Sequence, residues 1–413
     1  MNLTITPTKL QGTIAPPPSK SHTHRLLIAA GLSDGHSVVS NISLSKDIQA
    51  TLNCLSALGV SADISEGNKV RITGLGHSIP QHRDRFLHTF DCGESGSTLR
   101  FMIPIALAMA GGGIFTGQGR LMERPQQPYF DIFQEKDIFF QQKDGKLTVK
   151  GELRPGIYTL PGNVSSQFVT GLLFALPLLE GDSEIILTTE LESRGYVDIT
   201  RDAMKQYGVE VKLTENGFLI PGNQRYHRAD TAVEADWSQA AFWYAAMALG
   251  SELDIQGMNA FSTQGDMVVV PHYLRLTQSG DVEINLSQCP DLAPPLAAMA
   301  AVRQGTTVIS NAGRLRIKES DRLATITATL NALGAMVTEK TDELMIIGQE
   351  TLAGGVTIDC CNDHRIAMMA AIAATACEKP VTLIGAECVN KSYPQFWNDY
   401  RKLGGVFYEH TGQ

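Results

Sequence analysis

The sequence predicts a mixed α/β (α+β) fold with two similar domains, each made of three repeated β/α units. Six segments are apolar on nearly all sides at helical spacing, which is typical of helices buried in a core. They recur with a period of about 70 residues, as expected for a repeat architecture. These segments begin near Ser21, Ser95, Ser165, Trp237, Asp291 and Asp363. A chain of 413 residues exceeds one comfortable hydrophobic core, so six units indicate two domains of three.

A second, more amphipathic helix follows most of the buried segments, and we expect it to end at a glycine before two short strands. Three copies are clear, over Leu52–Gly74, Ala203–Gly222 and Thr329–Gly348. Glycine at a helix end adopts the left-handed conformation that closes the helix. In the second copy, alternation over Val209–Leu213 predicts a strand with one buried face, and Asn216-Gly217 predicts the hairpin turn. A weaker copy, Gln134–Gly151, lacks the Leu-Gly stop, so the pattern leaves its helix end undefined.

The composition is that of an ordinary globular protein, with 43% hydrophobic residues, 19% charged residues and a net charge of −9. This charge argues against a general nucleic-acid or membrane-surface binder. The longest apolar stretch, Phe101–Phe115, contains Pro104 and three glycines and is too short to span a bilayer. We therefore expect no nucleic-acid and no membrane partner.

The chain has seven cysteines and no CxxC pair, which favours reduced thiols and a cytoplasmic location. Cys360, Cys361 and His364 would supply three metal ligands, but no second cluster provides the rest of a zinc site. The alternative is that the two cysteines are small buried hydrophobic residues. We favour this alternative and expect no metal.

Several helix starts carry a polar, cationic cluster in place of a simple cap. They are "SKSHTHR" (Ser19–Arg25), "ESGSTLR" (Glu94–Arg100), "SSQF" (Ser165–Phe168), "RIKESDR" (Arg316–Arg322) and "NDHR" (Asn362–Arg365). Helix N-termini carry unpaired N–H groups and favour anions, whereas Lys and Arg are disfavoured there. Each cluster alone also fits an ordinary cap or a solvated helix face. Their recurrence in one repeat favours a site for a ligand with several anionic groups, with Asp291, Glu319 and His364 as candidate proton carriers.

The chain lacks a GxxxxGK[ST] phosphate loop, a GxGxxG fingerprint and a Gly-x-Ser-x-Gly elbow. The residues alone therefore indicate a phosphate-handling enzyme and no more. In combination, however, the clusters resemble the motifs of the enolpyruvyl transferases over essentially the whole chain. Further matches are "ERP" (Glu123–Pro125), "LESRGYVDIT" (Leu191–Thr200) and "NKSYP" (Asn390–Pro394).

The resemblance implies the inside-out α/β barrel fold of that family, in which one domain is inserted into the other. The first domain would comprise residues 1–18 and 235–413, and the second residues 19–234, with hinges near residues 18 and 234. The active site would lie in the cleft between them, and ligands would close it. A monomer without metal or organic cofactor is implied.

The implied reaction transfers the enolpyruvyl group of phosphoenolpyruvate to the 5-hydroxyl of shikimate 3-phosphate through a tetrahedral adduct, in aromatic amino-acid biosynthesis. The phosphoenolpyruvate-binding residues would be Lys20, Gly96, Arg124, Gln167, Arg322, Arg365 and Lys391. Those for shikimate 3-phosphate would be Lys20, Ser21, Arg25, Ser165, Ser166, Gln167, Ser193, Tyr196, Asp291 and Lys318. Glyphosate would compete with phosphoenolpyruvate and reach further toward Gly96.

The resemblance also implies catalytic roles. Lys20 would touch both substrates and assist proton transfer, and Asp291 would accept the proton of the 5-hydroxyl. Glu319 would deliver and recover the proton at C3 of phosphoenolpyruvate, and His364 would support Glu319. No role is implied for His22 and His24, which we expect at the surface or at the helix start.

The chain departs from the family pattern at Glu94–Ser97, where Asn-Ala-Gly-Thr is common, and Arg314 receives no role. One alternative function is enolpyruvyl transfer to UDP-N-acetylglucosamine. That branch usually carries a Cys in the loop matching Gly117–Pro125, and this chain has none there. The other alternative is a non-catalytic anion-binding protein, against which Lys20, Asp291 and Glu319 argue.

Overall fold

The computed structural model describes residues 1–64, 67–76 and 87–410. Its helices are α1 (Lys20–Leu32), α2 (Lys46–Ala57), α3 (Gly96–Ala110), α4 (Gln127–Glu135), α5 (Ser166–Ala175), α6 (Arg194–Gln206), α7 (Trp237–Ala248), α8 (Val269–Leu276), α9 (Ala293–Ala301), α10 (Arg322–Ala332), α11 (His364–Ala374) and α12 (Phe396–Lys402). Its strands are β1 (Asn2–Thr6), β2 (Gln11–Ile14), β3 (His36–Ser40), β4 (Ser61–Asp63), β5 (Lys69–Thr73), β6 (Thr89–Asp91), β7 (Gly112–Thr116), β8 (Phe139–Lys143), β9 (Lys146–Lys150), β10 (Ile157–Leu160), β11 (Ser183–Leu187), β12 (Lys212–Thr214), β13 (Gly217–Ile220), β14 (Thr231–Ala232), β15 (Glu252–Ile255), β16 (Val282–Asn285), β17 (Thr306–Ser310), β18 (Met336–Glu339), β19 (Leu344–Ile347), β20 (Leu352–Gly354), β21 (Thr357–Asp359), β22 (Cys377–Lys379), β23 (Val381–Ile384) and β24 (Val406–His410).

The chain divides into two compact units. Unit 1 consists of Met1–Ser19 and Ala235–Gln413, and unit 2 of Lys20–Glu234. The chain therefore enters unit 2 immediately before α1 and leaves it just after β14.

Unit 2 contains three four-stranded sheets with the same topology. Their strand orders are β14-β3-β5-β4, β6-β7-β9-β8 and β10-β11-β13-β12. In each sheet the first pair is parallel and the other two pairs are antiparallel. The inner helices α1, α3 and α5 are buried along nearly their whole length, which their apolar composition requires.

Unit 1 repeats this topology in two four-stranded sheets. The orders β16-β17-β19-β18 and β21-β23-β1-β24 again begin with a parallel pair, and β2 with β15 and β20 with β22 form two smaller parallel ladders. Helices α7, α9 and α11 form its buried center. The predicted α/β class and its six repeated units are confirmed, and within the described residues the sheets remain separate.

The covering helices end as predicted where a Leu-Gly or Tyr-Gly pair occurs. Gly59, Gly208 and Gly334 have φ values of 99°, 79° and 103°, in the left-handed region that favours glycine. The weaker copy follows the same plan without glycine, because Asp137 takes a φ of 55° after α4. Residues 65 and 66 of the first copy lie outside the described residues.

Two local predictions in the second copy were wrong. The predicted strand Val209–Leu213 is replaced by the shorter β12, which begins at Lys212 and is exposed throughout, so the alternation misidentified its extent. The hairpin turn is one residue earlier than predicted, since Thr214 pairs with Gly217 and leaves Glu215 and Asn216 at the turn. Among the described residues, no helix has the length and apolar character needed to cross a membrane.

Candidate active site

Helix α1 begins unit 2 with a lysine held by a neighbouring helix. Nζ of Lys20 donates a hydrogen bond of 2.8 Å to Oδ2 of Asp47 in α2, and both side chains are largely shielded from solvent. The pair is positioned by packing of α1 against α2. Asp47 was not singled out in the sequence, because a single Asp in a first helical turn has an ordinary reading as a favourable helix-start charge.

Arg25 lies one turn further along α1 and is almost fully buried, with 2% of its surface exposed. Its Nε donates to Oγ1 of Thr200 at 2.7 Å and its Nη1 to the carbonyl oxygen of Ser21 at 2.6 Å. Its guanidinium also lies 5.1 Å from the ring center of Phe101. Burial lowers the pKa of Arg25, and among the described residues no carboxylate forms an ion pair with it. A buried cation of this kind is stabilised by an anionic ligand.

The start of α3 places a glycine against a second buried arginine. Ser95 caps the helix by accepting the N–H of Thr98 at 3.2 Å. A β-carbon at Gly96 would lie 2.5 Å from Nη1 of Arg124, so the guanidinium occupies the space that a side chain would need. Arg124 is 8% exposed, and within the described part of unit 2 its buried Nε has no hydrogen-bond partner.

Gln167 connects the starts of α5 and α3. Its Oε1 accepts from Nη1 of Arg100 at 2.8 Å, and its Nε2 donates to Oγ of Ser97 at 2.9 Å. Arg100 also donates to the carbonyl oxygen of Pro125 at 3.0 Å, and it stacks 4.7 Å from the ring center of Phe168. Ser97, which belongs to the segment that departs from the family pattern, therefore has a defined hydrogen-bond partner in Gln167.

Two further helix starts complete the unit 2 part of the site. Ser165 caps α5 by accepting the N–H of Gln167 at 3.3 Å, and Ser166 is buried in the first turn. Ser193, at the start of α6, is buried and has a φ of 56°. Tyr196 is half-buried in the first turn of α6, and its carbonyl oxygen accepts from Thr200, the residue that also contacts Arg25.

In unit 1, Asp291 lies among three cations. Its Oδ1 is 3.4 Å from Nζ of Lys318 and 3.1 Å from Nη1 of Arg322, and its Oδ2 is 3.0 Å from Nη2 of Arg365. Arg365 also donates to the Asp291 carbonyl oxygen at 3.0 Å. Burial lowers the pKa of Lys318, with Asp291 opposing this and Arg322 adding to it. Asp291 is therefore held by Lys318, Arg322 and Arg365 together.

Arg322 is held by two further carboxylates. Its Nη2 is 2.7 Å from Oε2 of Glu319, and its Nε is 2.8 Å from Oδ2 of Asp363. Burial, the largest influence, raises the pKa of Asp363, but the charge and hydrogen bond of Arg322 together with His364 lower it by more, so the pKa lies below the ordinary value. Glu319 and Asp363 therefore offset part of the unfavourable interaction between the charge of Arg322 and the positive N-terminus of its helix. An external anion is not needed for that part.

The start of α11 is shaped by an unusual backbone. Cys361 and Asn362 have φ values of 52° and 50°, and the Asn362 carbonyl oxygen accepts from Nζ of Lys391 at 2.6 Å. Asp363 caps the helix by accepting the N–H of Arg365 at 3.0 Å, and His364 is buried in its first turn. The nearby imidazole of His364 also contributes to the lowered pKa of Asp363.

The predicted site residues thus form two groups, one in each unit. Those in unit 2 are Lys20, Ser21, Arg25, Gly96, Arg124, Ser165, Ser166, Gln167, Ser193 and Tyr196, and those in unit 1 are Asp291, Lys318, Glu319, Arg322, His364, Arg365 and Lys391. Sequence reasoning gave no separate role to Arg100 and Asp363, although both stand inside quoted motifs. For Arg100, the available signal was its position one turn into an otherwise apolar helix, because a buried charged residue is rare unless it is paired.

Two other expectations, one for the histidines of α1 and one for Cys361, are corrected. His22 and His24 belong to the helix start but are buried, at 5% and 0% exposure, because α1 is an inner helix. Cys360 is buried as expected, whereas Cys361 is exposed at the tight turn before α11. Over the described ranges, no three His, Cys, Asp or Glu side chains are grouped as metal ligands.

Comparison with known proteins places this chain in a family. Residues 5–400 match the family model described as EPSP synthase (3-phosphoshikimate 1-carboxyvinyltransferase). Proteins named 3-phosphoshikimate 1-carboxyvinyltransferase are similar: that of Clostridium kluyveri is 48% identical over 98% of this chain and 97% of its own length. That of Clostridium beijerinckii is 46% identical over 99% and 98%.

Solved structures share the fold. An EPSP synthase from Acinetobacter baumannii matches 99% of this chain and 100% of its own with a TM-score of 0.80 at 23% identity. The enolpyruvyl transferase NikO from Streptomyces tendae matches 100% and 99%, respectively, with a TM-score of 0.77 at 16% identity. The family model covers nearly the whole chain and the curated relatives far exceed 30% identity, so the chain belongs to the EPSP synthase family.

Proposed function

We propose that this chain transfers the enolpyruvyl group of phosphoenolpyruvate to the 5-hydroxyl of shikimate 3-phosphate, giving 5-enolpyruvylshikimate 3-phosphate and phosphate. One observation carries the proposal. Arg25 and Arg124 are buried guanidinium groups that form no ion pair among the described residues of unit 2. Both substrates are anionic, and their binding would supply the negative charge that these two groups lack.

Phosphoenolpyruvate is the ligand proposed for Arg124, Gln167 and Lys20, with the Gly96 backbone as the adjoining wall. The flat guanidinium of Arg124 suits a bidentate contact with a carboxylate or phosphate. Gln167 is already oriented by Arg100 and Ser97, so its amide can be placed without a large loss of side-chain entropy. From unit 1, we assign Arg322, Arg365 and Lys391 to the same ligand.

Shikimate 3-phosphate is the ligand proposed for the starts of α1, α5 and α6. Arg25 supplies charge, and hydroxyls at helix N-termini supply donors beside unpaired backbone N–H groups. The assigned residues are Lys20, Ser21, Arg25, Ser165, Ser166, Gln167, Ser193, Tyr196, Asp291 and Lys318. Nζ of Lys318 lies 3.4 Å from Oδ1 of Asp291, so one ligand hydroxyl can contact both.

The chemical step is an addition followed by an elimination. Asp291 accepts the proton of the 5-hydroxyl as the oxygen attacks C2 of phosphoenolpyruvate, while Glu319 delivers a proton to C3. Lys20 assists proton transfer next to both substrates, and His364 supports Glu319. The tetrahedral adduct then loses phosphate as Glu319 recovers a proton from C3, and the proton taken up by Asp291 passes to the departing phosphate, which returns both carboxyl groups to their starting forms. Lys318, Arg322 and Arg365 stabilise negative charge near Asp291 without a proton transfer of their own.

We assign residues 1–18 with 235–413 to the first domain and residues 19–234 to the inserted second domain, with hinges near residues 18 and 234. The substrates would engage both groups of site residues in the cleft between the domains, and we propose that their binding is accompanied by closure. Small-angle scattering tests it: saturating shikimate 3-phosphate should lower the radius of gyration, whereas an unchanged radius would contradict closure.

The proposed enzyme is a cytoplasmic monomer. Its seven cysteines, all within the described ranges, are free thiols, which suits a reducing compartment. All assigned site residues come from one chain, so no second copy is required for catalysis. Light scattering coupled to size-exclusion chromatography should give the mass of one 44.8 kDa chain.

Release of inorganic phosphate from the substrate pair is the decisive test of function. Phosphate should appear only when phosphoenolpyruvate and shikimate 3-phosphate are both present. UDP-N-acetylglucosamine serves as the control acceptor, and turnover with it alone would favour the sister reaction. Binding of both substrates without phosphate release would favour a non-catalytic anion-binding protein.

A further inference from the structure

A buried chain of hydrogen bonds runs from α1 to the start of α3, and its first member is His24. Nδ1 of His24 is 2.7 Å from Oγ1 of Thr51 in α2, and Thr51 is 2.7 Å from Oγ1 of Thr98 in α3. Thr98 in turn donates to Oγ of Ser95 at 2.8 Å. His24, Thr51 and Thr98 are fully buried, and Ser95 is 1% exposed.

We propose that His24 is a positioning residue for the phosphoenolpyruvate site, acting through Thr51 and Thr98 on Ser95. The inference rests on the proposed function, since it assigns Gly96 and Arg124 to that ligand. Ser95 caps α3 immediately before Gly96, and Gly96 lies against Arg124. A shift of the cap would therefore move the glycine backbone relative to the guanidinium.

The spacing of the residues explains how the chain reaches both sides of the site. Lys20 and His24 are one turn apart on α1, and their partners Asp47 and Thr51 are one turn apart on α2. The Lys20–Asp47 contact and the His24–Thr51 contact therefore join the same two helices one turn apart. The first contact holds the Lys20 ammonium, and the second continues through Thr98 to α3. Helix α2 thereby sets the start of α3 relative to Lys20.

The proton directions along the chain follow from its last member. Thr98 gives its hydroxyl proton to Ser95, so Thr51 must donate to Thr98, and Nδ1–H of His24 must donate to Thr51. His24 is then the Nδ1–H tautomer. Its Nε2 is buried and has no hydrogen-bond partner among the described residues, which fits a bare ring nitrogen better than an orphaned N–H group.

A neutral imidazole is the form that this location favours. Burial disfavours the charged ring, and Lys20 and Arg25 on the same helix repel a further positive charge. A buried polar chain is well defined only when its members are paired, so it selects one arrangement of the three helices. An apolar residue at position 24 would pack against Phe101, 6.4 Å away, but would not orient Thr51.

Thr51→Val and Thr51→Ser form a matched pair that tests the proposal. Valine keeps the shape of threonine and removes the hydroxyl, whereas serine keeps the hydroxyl. We expect Thr51→Val to raise KM for phosphoenolpyruvate roughly three- to tenfold, with the Kd for shikimate 3-phosphate within about twofold of the native chain. Thr51→Ser should stay close to native in both constants. Thr98→Val interrupts the next hydrogen bond of the chain and should raise KM for phosphoenolpyruvate in the same way. It provides the test if Thr51→Val folds poorly.

Two controls separate positioning from a general loss of stability. Ser33→Ala removes a buried hydroxyl from the far end of α1, where Ser33 bonds to Ala30, and should leave the KM for phosphoenolpyruvate unchanged. In ¹⁵N NMR of the histidine-labelled full chain, His24 should show the Nδ1–H tautomer in the native protein and in Thr51→Ser, and a changed signal in Thr51→Val.

The proposal is overturned if KM for phosphoenolpyruvate stays within twofold of native in both Thr51→Val and Thr98→Val. An equal rise in Thr51→Ser or Ser33→Ala would also overturn it, because the hydroxyl would then not be the cause. A native chain without turnover would instead contradict the proposed function. The NMR comparison would still decide the hydrogen-bond chain in that case, and an Nε2–H tautomer in the native protein would reject it.

Discussion

Gly96 and Arg124 are so close that a β-carbon on the glycine would lie 2.5 Å from Nη1 and 2.8 Å from Cζ of the arginine. We expect Gly96→Ala to displace the guanidinium and raise KM for phosphoenolpyruvate, with a larger rise in the inhibition constant of glyphosate. Overpacking by one methyl costs about 1–3 kcal/mol, so the glyphosate constant should rise at least several-fold more than KM. Steady-state inhibition kinetics provide the measurement.

A second glycine supplies the control for this steric argument. A β-carbon at Gly31 would lie 2.9 Å from Cδ2 of Leu55, inside the core and near the other end of α1. Gly31→Ala should lower thermal stability and leave both constants in their native ratio. Equal proportional changes of the two constants in Gly96→Ala would place Gly96 away from the wall that discriminates the ligands.

Glu319→Gln is expected to retain the fold and ligand binding but to lose about 10²- to 10⁴-fold in kcat, the usual contribution of a general acid–base group. The glutamine oxygen can still accept from Nη2 of Arg322, which is 2.7 Å from Glu319 in the native chain. Glu339→Gln is the matched control, since Glu339 forms a similar 2.7 Å pair with Arg316. A native kcat in Glu319→Gln would remove this carboxylate from the mechanism.

The repeat and the helix starts were predictable from sequence because their signals are local. Apolar residues on every side of a segment require a buried helix, and Leu58-Gly59 or Leu333-Gly334 marks a helix end by the conformation that glycine alone adopts easily. The exposed strand β12 shows the limit of this approach, because the alternation that begins at Val209 does not reveal where pairing begins.

Contacts between helices were not predictable in the same way. Lys20 and Asp47 are separated by 27 residues, and Arg322 and Asp363 by 41, so neither pair follows from the spacing along one element. His24 was expected at the surface or at the helix start from its residue type, and it lies at the helix start, where packing of α1 against α2 and α3 buries it with Thr51. Which charged groups neutralise one another depends on that packing.

Asp363→Asn should destabilise unit 1 by about 1–3 kcal/mol at pH 7, since the buried guanidinium of Arg322 keeps Glu319 and Asp291 but loses its fully buried carboxylate partner. Because the pKa of Asp363 is lower in the folded state, its stabilising contribution is complete above the unfolded value and is lost as pH falls through the folded value. The deficit of the variant should therefore be constant from pH 5 to 7 and shrink below about pH 4.

Asp321→Asn is the control for that measurement. Asp321 also caps a helix, by accepting the N–H of Ala324 at 3.2 Å, but its ion pair with Arg316 is partly exposed. Asparagine preserves the cap and loses only the exposed pair, so the expected cost is below about 1 kcal/mol. A similar cost in both variants, measured by chemical denaturation, would mean that Asp363 contributes only as a cap.

We expect the folded chain to lose stability in mild acid because of His24. Burial, with Lys20 and Arg25 nearby, lowers the pKa of His24 well below its ordinary value, so the folded chain resists a proton that the unfolded chain accepts. The contribution of a neutral His24 is complete above about pH 6.5, the unfolded value, and falls by about 1.4 kcal/mol for each pH unit below it until the folded value is reached.

The free energy of unfolding should be measured at pH 7.5 and pH 5.5 for the native chain and for His24→Asn. Since asparagine does not titrate, the variant should become more stable relative to the native chain by about 1 kcal/mol at the lower pH. His36→Asn is the control, because His36 is exposed on β3. An unchanged difference between native chain and His24→Asn at the two pH values would show that His24 gains its proton as readily when folded as when unfolded.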